Sequence, residues 1–163
     1  TAVWAHLLTA GAPFGLRPFG AAAREALRLE AGLPKAGPDL NEEIVPPEAN
    51  LEGKAFSLGK GCYPGQEVVA RMDTYGSVRR HLVGLTLGES VLPPSGAKLF
   101  SGEREVGWVS SAVVSPQLGK AIAFGYPLRD FSKPDTALSV ELDGRRIPAT
   151  VHALPFYRRA SAT

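Results

Sequence analysis

Ala137-Leu138-Ser139-Val140-Glu141-Leu142-Asp143-Gly144-Arg145-Arg146-Ile147-Pro148-Ala149-Thr150-Val151-His152-Ala153 is the stretch that decides the fold. Asp143-Gly144 supplies the two positive-φ positions of a type I′ turn, so Ala137–Leu142 and Arg146–Ala153 read as the two arms of a hairpin. Working back toward the N-terminus, Lys120–Tyr126, Glu105–Ser111, Ala97–Phe100 and Arg80–Leu87 read as four further strands, with Ser101-Gly102-Glu103 joining one adjacent pair. Six short strands with Gly and Pro punctuation and little helix predict a small antiparallel six-stranded β-barrel. Asp73-Thr74-Tyr75-Gly76 breaks the pattern upstream, giving an expected division into residues 1–75 and 76–163.

The first part has a different character. Trp4, Leu7 and Leu8 sit at i, i+3, i+4 spacing, which predicts an amphipathic helix over 2–10 that Gly11 can end. Gly15 to Gly20 reads as extended, because the residue before Pro18 avoids helix. Ala21 to Ala31 is the strongest helix in the sequence, with Gly32 after it. Helix, short extended segment and helix suggest part of an α/β layer whose sheet needs further strands, so the whole chain is expected to be α+β. Residues 37–53 are long for a loop. Asn41 to Pro46 could add a short edge strand or turn, and the acidic residues Asp39, Glu42, Glu43 and Glu48 read as a solvated face rather than a carboxylate cluster.

A hydrophobic content of 44% and a charged content of 21% are ordinary for a globular protein, and a net charge of +2 argues for neither nucleic acid nor membrane as partner. The single cysteine cannot form an internal disulfide. No apolar run approaches the ~20 residues a membrane helix needs, so the expected location is cytoplasmic with no membrane partner. The helical pattern at the very start suggests the C-terminal portion of a longer protein. His6, His81 and His152 have no metal-ligand spacing, and no phosphate-binding loop or nucleophile elbow is present. Trp108 reads as core rather than as a stacking platform.

Lys60-Gly61-Cys62-Tyr63-Pro64-Gly65-Gln66-Glu67 is the stretch that carries chemistry. The Pro-x-Gln-Glu-Val-Val-Ala run reads as the opening turns of a helix. A thiol just ahead of a helix start, with Lys60 two places before it, feels two positive fields that favour thiolate. The alternative is an inert, buried Cys62 acting as a small hydrophobe. With the following Val68-Val69-Ala70-Arg71, this stretch resembles the signature of the YgfZ-type folate-binding proteins, relatives of the glycine-cleavage aminomethyltransferase, which share the surrounding pattern but lack the cysteine. Val78 to Leu85 and Val106 to Ser111 are similar to the C-terminal barrel of the same aminomethyltransferase-like group. The resemblance runs through almost the whole chain and covers only the later part of the family's length.

The resemblance implies tetrahydrofolate as cofactor and folate as the first partner. It implies that Leu27-Arg28-Leu29-Glu30-Ala31-Gly32 holds the glutamate that contacts the pterin. A carboxylate suits a pterin edge because it accepts two parallel N–H bonds; the plain alternative is an exposed surface Glu30. Gln66 is carried over from the motif as a second cofactor contact. Arg79 could grip a folate carboxylate bidentately, although Arg79 and Arg80 alternate faces on a strand and only one can point at a given ligand. Arg71 is expected to pair locally with an acidic residue one helical turn away. In the function the resemblance implies, Cys62 and Lys60 are the reactive pair of an accessory protein for iron–sulfur cluster assembly or repair. Cluster-dependent tRNA modification follows from that role, with iron–sulfur enzymes or assembly proteins as partners and no direct tRNA binding. Two rivals stand beside it. One is a folate-dependent aminomethyltransferase of the glycine-cleavage type, moving a one-carbon unit from a protein-bound lipoyl arm to tetrahydrofolate. The other is a module that senses folate or docks RNA through Arg79 and Arg80.

Overall fold

The computed structural model describes residues 2–75 and 78–157. Six strands, β1 (Val83–Leu87), β2 (Lys98–Ser101), β3 (Arg104–Ser115), β4 (Lys120–Gly125), β5 (Ala137–Leu142) and β6 (Arg145–His152), close into a barrel. The spatial order is β1-β4-β3-β2-β5-β6, with β6 returning to β1 and every pairing antiparallel. Closure leaves no free sheet edge. The β5–β6 turn has φ of 50° at Asp143 and 76° at Gly144, as the Asp-Gly pair requires. β3 runs four residues beyond its expected end, because β4 supplies partners as far as Ser115↔Lys120.

Strand β6 alternates, with Ile147, Ala149 and Val151 buried and their neighbours exposed. Ala149 and Val151 join Leu85, Leu99, Val106, Val109 and Val140 inside the barrel, and Ile147, fully buried, shares their face of β6. Strand β4 is different: it is buried on both faces. Ala121 and Ala123 point into the barrel, while Ile122 and Phe124 join an outer cluster with Leu29, Leu82, Tyr126 and Phe156. Small residues belong on the inner face for a steric reason. A Cβ on Gly125 would stand 2.8 Å from Leu85 and 3.0 Å from the Trp108 carbonyl. Trp108 is only half-buried and packs at the edge of the outer cluster.

The outer cluster needs a cover, and α2 (Ala21–Glu30) provides it by burying Ala26, Leu29 and Glu30 against β3 and β4. The chain after β6 comes back to the same place. Phe156 stacks near Phe124, and the Tyr157 N–H donates to the Glu30 carbonyl at 3.1 Å. Helix α1 (Ala2–Gly11) buries nothing. Its end also differs from expectation: Gly11 stays right-handed with φ −85°, a 3-10 turn over Ala12–Phe14 follows, and Gly15 takes the left-handed position at φ 72°.

Residues 31–65 form turns stitched to the barrel. Among the described residues before β1, the extended pairings are isolated bridges, Ala36 with Leu40, Glu52 with Phe56, and Arg80 reaching Leu128. Asn41 to Pro46 is therefore turn rather than edge strand. The acidic loop also departs from the solvated face expected of it. Glu42 and Glu43 are exposed, but Asp39 is fully buried and Glu48 is buried. Helix α3 (Gln66–Tyr75) begins after Gly65, whose φ is +83°. Pro64 thus stands in the turn before the helix rather than in its first turn, and Cys62 lies four residues before the helix rather than directly ahead of it.

Candidate functional site

Glu30 is the last residue of α2 and is buried, not exposed. Its Oε1 accepts from the Ser115 hydroxyl and from the Gln117 N–H at 3.3 Å, so the end of β3 and the turn after it form its seat. Both bonds go to one oxygen. Oε2 has no partner among the described residues and keeps acceptor capacity for a donor from outside.

Two residues earlier on α2, Arg28 makes the other half of this seam. Its Nε donates to Glu25 at 2.7 Å, its Nη1 to Asp39 Oδ2 at 2.7 Å, and its Nη2 to the Ser111 hydroxyl at 2.9 Å. Asp39 is the centre of the arrangement. It also accepts the Lys35 N–H at 2.9 Å and the hydroxyls of Ser110 and Ser111, each at 2.6 Å on Oδ1. Consecutive strand residues normally face opposite ways. Here the register slips between Val109 and Ser111, so Val109 pairs with Gly125 and Ser111 with Phe124, leaving Ser110 as an extra residue. That β-bulge aims two adjacent serines at one carboxylate.

Electrostatics follow from these contacts. Hydrogen bonds from Arg28 and then Lys35 hold the Glu25 carboxyl below its usual range. The Tyr126 hydroxyl donates to the Asp39 carbonyl at 2.7 Å, and burial, followed by the Asp39 charge, pushes the phenol far up.

The Cys62 stretch lies elsewhere. Cys62 is exposed, which removes the buried-hydrophobe reading. With Tyr63, Gly65, Gln66, Glu67 and Ala70 it lines an open, mostly apolar cleft of about 590 Å³. The Lys60 ammonium sits 4.6 Å from the centre of the Tyr63 ring instead of turning to the thiol. Arg71 and Glu67 form an exposed pair at 3.9 Å, as their spacing suggests. Arg79 is exposed and offers its carbonyl to the Arg129 N–H, whereas Arg80 lies half-buried with its guanidinium 4.8 Å from the Trp108 ring centre.

The expected site residues therefore fall in three places: Glu30 in the α2–β3 seam, Cys62 and Gln66 on the cleft, and Arg79 on the surface before β1. Lys60 sits beside the cleft on Tyr63. His81 borders two further cavities of about 350 and 380 Å³. Burial, and secondarily Arg129, holds its imidazole below the ordinary range. Sequence reasoning missed Asp39, Ser110, Ser111 and Ser115. One signal was available: two adjacent serines inside a strand would put one hydroxyl into the barrel unless a bulge turned both outward.

Comparison with known proteins gives this geometry a context. Residues 80–158 match the glycine cleavage T-protein C-terminal barrel domain, and residues 1–56 match the GCVT N-terminal domain. The chain is 42% identical over 160 residues to an aminomethyltransferase of Saccharopolyspora erythraea, covering 97% of this chain and 43% of that protein. It is 38% identical over 160 residues to an aminomethyltransferase of a Geobacillus species, covering 98% and 43%. A crystal structure of the glycine cleavage system aminomethyltransferase T from Bartonella henselae superposes with a TM-score of 0.75 at 30% identity, over 83% of this chain and 38% of that one. The chain thus spans less than half the length of these relatives.

Proposed function

We propose, for a chain that carries domains of the glycine cleavage T-protein family, that it supplies the C-terminal part of a folate-dependent aminomethyltransferase. In the proposed reaction the transferred carbon loses two bonds, one to the sulfur of a lipoyl arm and one to its own amino nitrogen, and gains two carbon–nitrogen bonds to tetrahydrofolate. The two protons displaced from the folate leave with ammonia and with the arm's thiol. The residues of this chain bind and orient: Glu30 accepts from the pterin, and Gln66 and Arg79 are the further folate contacts. The two-part division at residues 75/76 belongs to the same reading, with α1 to α3 as the end of the folate-binding layer and the barrel as its support.

The observation that carries the proposal is the state of Glu30. Glu30 is buried as a residue and its carboxylate is held through Oε1 alone, with Oε2 uncommitted. That fits a planar ligand edge rich in N–H donors. The similarity to aminomethyltransferases supplies the reaction class. In a polypeptide of the relatives' length carrying this sequence, Glu30→Gln is expected to weaken tetrahydrofolate by about 1.5–3 kcal/mol, typical of a lost charged hydrogen bond. Calorimetry measures that, and ammonia release from an aminomethyl-lipoyl carrier measures turnover. Unchanged affinity in the Gln variant would remove Glu30 from the site.

One observation favours a second reading. Cys62 is exposed on an open cleft shared with Gln66, within reach of groups from outside the chain. This supports the accessory role in iron–sulfur cluster assembly, and through it tRNA modification, in which Cys62 and Lys60 are the reactive pair. Cys62→Ser separates the readings: loss of cluster-enzyme activity in cells with glycine cleavage intact supports the second, and full complementation rejects it.

A further inference from the structure

Resting on the reading of Glu30 as a ligand contact, we propose that Asp39 is a positioning residue for the Glu30 carboxylate, acting through Arg28 and the Ser110–Ser111 bulge. Arg28 and Glu30 flank Leu29 in the last turn of α2, and Leu29, 1% exposed, is buried in the outer cluster. Successive helix residues are turned about 100° from one another, so the two charged side chains leave α2 on well-separated headings. Both nevertheless end on β3: Arg28 at Ser111 and Glu30 at Ser115. Ser111 and Ser115 share one face of β3 and lie about 13 Å apart at the usual strand rise.

The last turn of α2 therefore stands across β3 on two feet with Leu29 as the pivot between them. The Glu30 foot is one oxygen deep. The Arg28 foot is the stronger, because Asp39 supplies the negative charge and Ser110, Ser111 and the Lys35 N–H complete its coordination. Loosening that foot lets the turn rock about Leu29 and moves the carboxylate at the other end. Asp39 is fully buried and paired, so it reaches a ligand only through the helix it holds.

The test is a double-mutant cycle in a polypeptide of the relatives' length, read as the tetrahydrofolate dissociation constant and, separately, as the melting temperature. Asp39→Asn keeps the shape and removes the charge. It is expected to weaken tetrahydrofolate about tenfold when Glu30 is present and less than about twofold in the Glu30→Gln background, as coupled neighbours do. Its effect on the melting temperature is expected to be the same in both backgrounds, which a merely structural role would also give; the affinity coupling is what that role would not give. Ser111→Ala removes one donor without touching the buried charge. It is expected to show the same pattern at about threefold, and it decides the matter alone if Asp39→Asn does not fold. Equal losses of affinity in both backgrounds overturn the proposal, as does unchanged affinity in folded Asp39→Asn or in Ser111→Ala. A Glu30→Gln protein that binds normally is a different failure: it removes the reading of Glu30 and this inference with it.

Discussion

The barrel and the segment before it contrast in how they bury their apolar residues. Inside the barrel Leu85, Leu99, Val109, Val140 and Ile147 have no exposure, and every strand is paired on both sides. Before it, Phe14 is 89% exposed, Val3 74% and Trp4 58%, and α1 buries nothing. The segment gains its order from one contact strip, α2 with the loop after it, laid over the outer face of β3 and β4. Folding stability thus resides in the barrel. The candidate ligand contact Glu30 and its holding network sit in the seam, where the fixed barrel meets the more loosely supported layer.

The largest test of this contrast is Leu85→Ala. Removing a fully buried side chain from a closed interior is expected to cost about 2–5 kcal/mol, measured by chemical denaturation. A loss under about 1 kcal/mol would mean that the barrel is not the stabilising unit.

A smaller test uses pH. Burial lowers the folded-state pKa of His81 from its ordinary 6.5, so between that pH and the lower folded value the unfolded chain binds more protons. Stability is therefore expected to fall as pH drops below 6.5 through that window, and His81→Asn is expected to flatten this part of the curve. Melting temperature against pH measures it. Glu25 gives a slope of the same sign at lower pH, beginning below 4.5, because its folded value is also depressed.

The smallest expected effect is Trp4→Ala. Despite the size of the side chain, an exposed residue on an unburied helix should change the stability of this 163-residue chain by less than about 0.5 kcal/mol. A loss comparable to that of Leu85→Ala would show that α1 packs, and the contrast between the two regions would disappear.

How much of this was legible in the sequence divides along the same line. The barrel was, because its signals are local: Asp143-Gly144 needs no distant partner to demand a hairpin, and six separated strand patterns leave few ways to close. The seam was not. Asp39 sits among Gly, Pro and other acidic residues that look solvated, and only Arg28, eleven positions earlier, and Ser110 and Ser111, more than seventy positions later, make it a buried anion. Glu30 was singled out by resemblance to a family segment, while its seat on Ser115 depends on a strand 85 residues away. The Pro64 misreading was of another kind. Proline fits a first helical turn equally well as the turn before it, and Gly65, taking φ +83°, fixes the second choice.

The bulge at Ser110 also bears on which insertions and deletions this strand can survive. Losing a residue from the middle of a paired strand ordinarily swaps inside for outside along everything that follows. At this point the opposite holds, because Val109↔Gly125 and Ser111↔Phe124 are already consecutive pairs on the β4 side. Excising Ser110 would leave Ala112 facing inward and Ser115 facing Glu30, and would remove one hydroxyl from Asp39. Excising Ala112, two positions on, would turn the rest of β3 over.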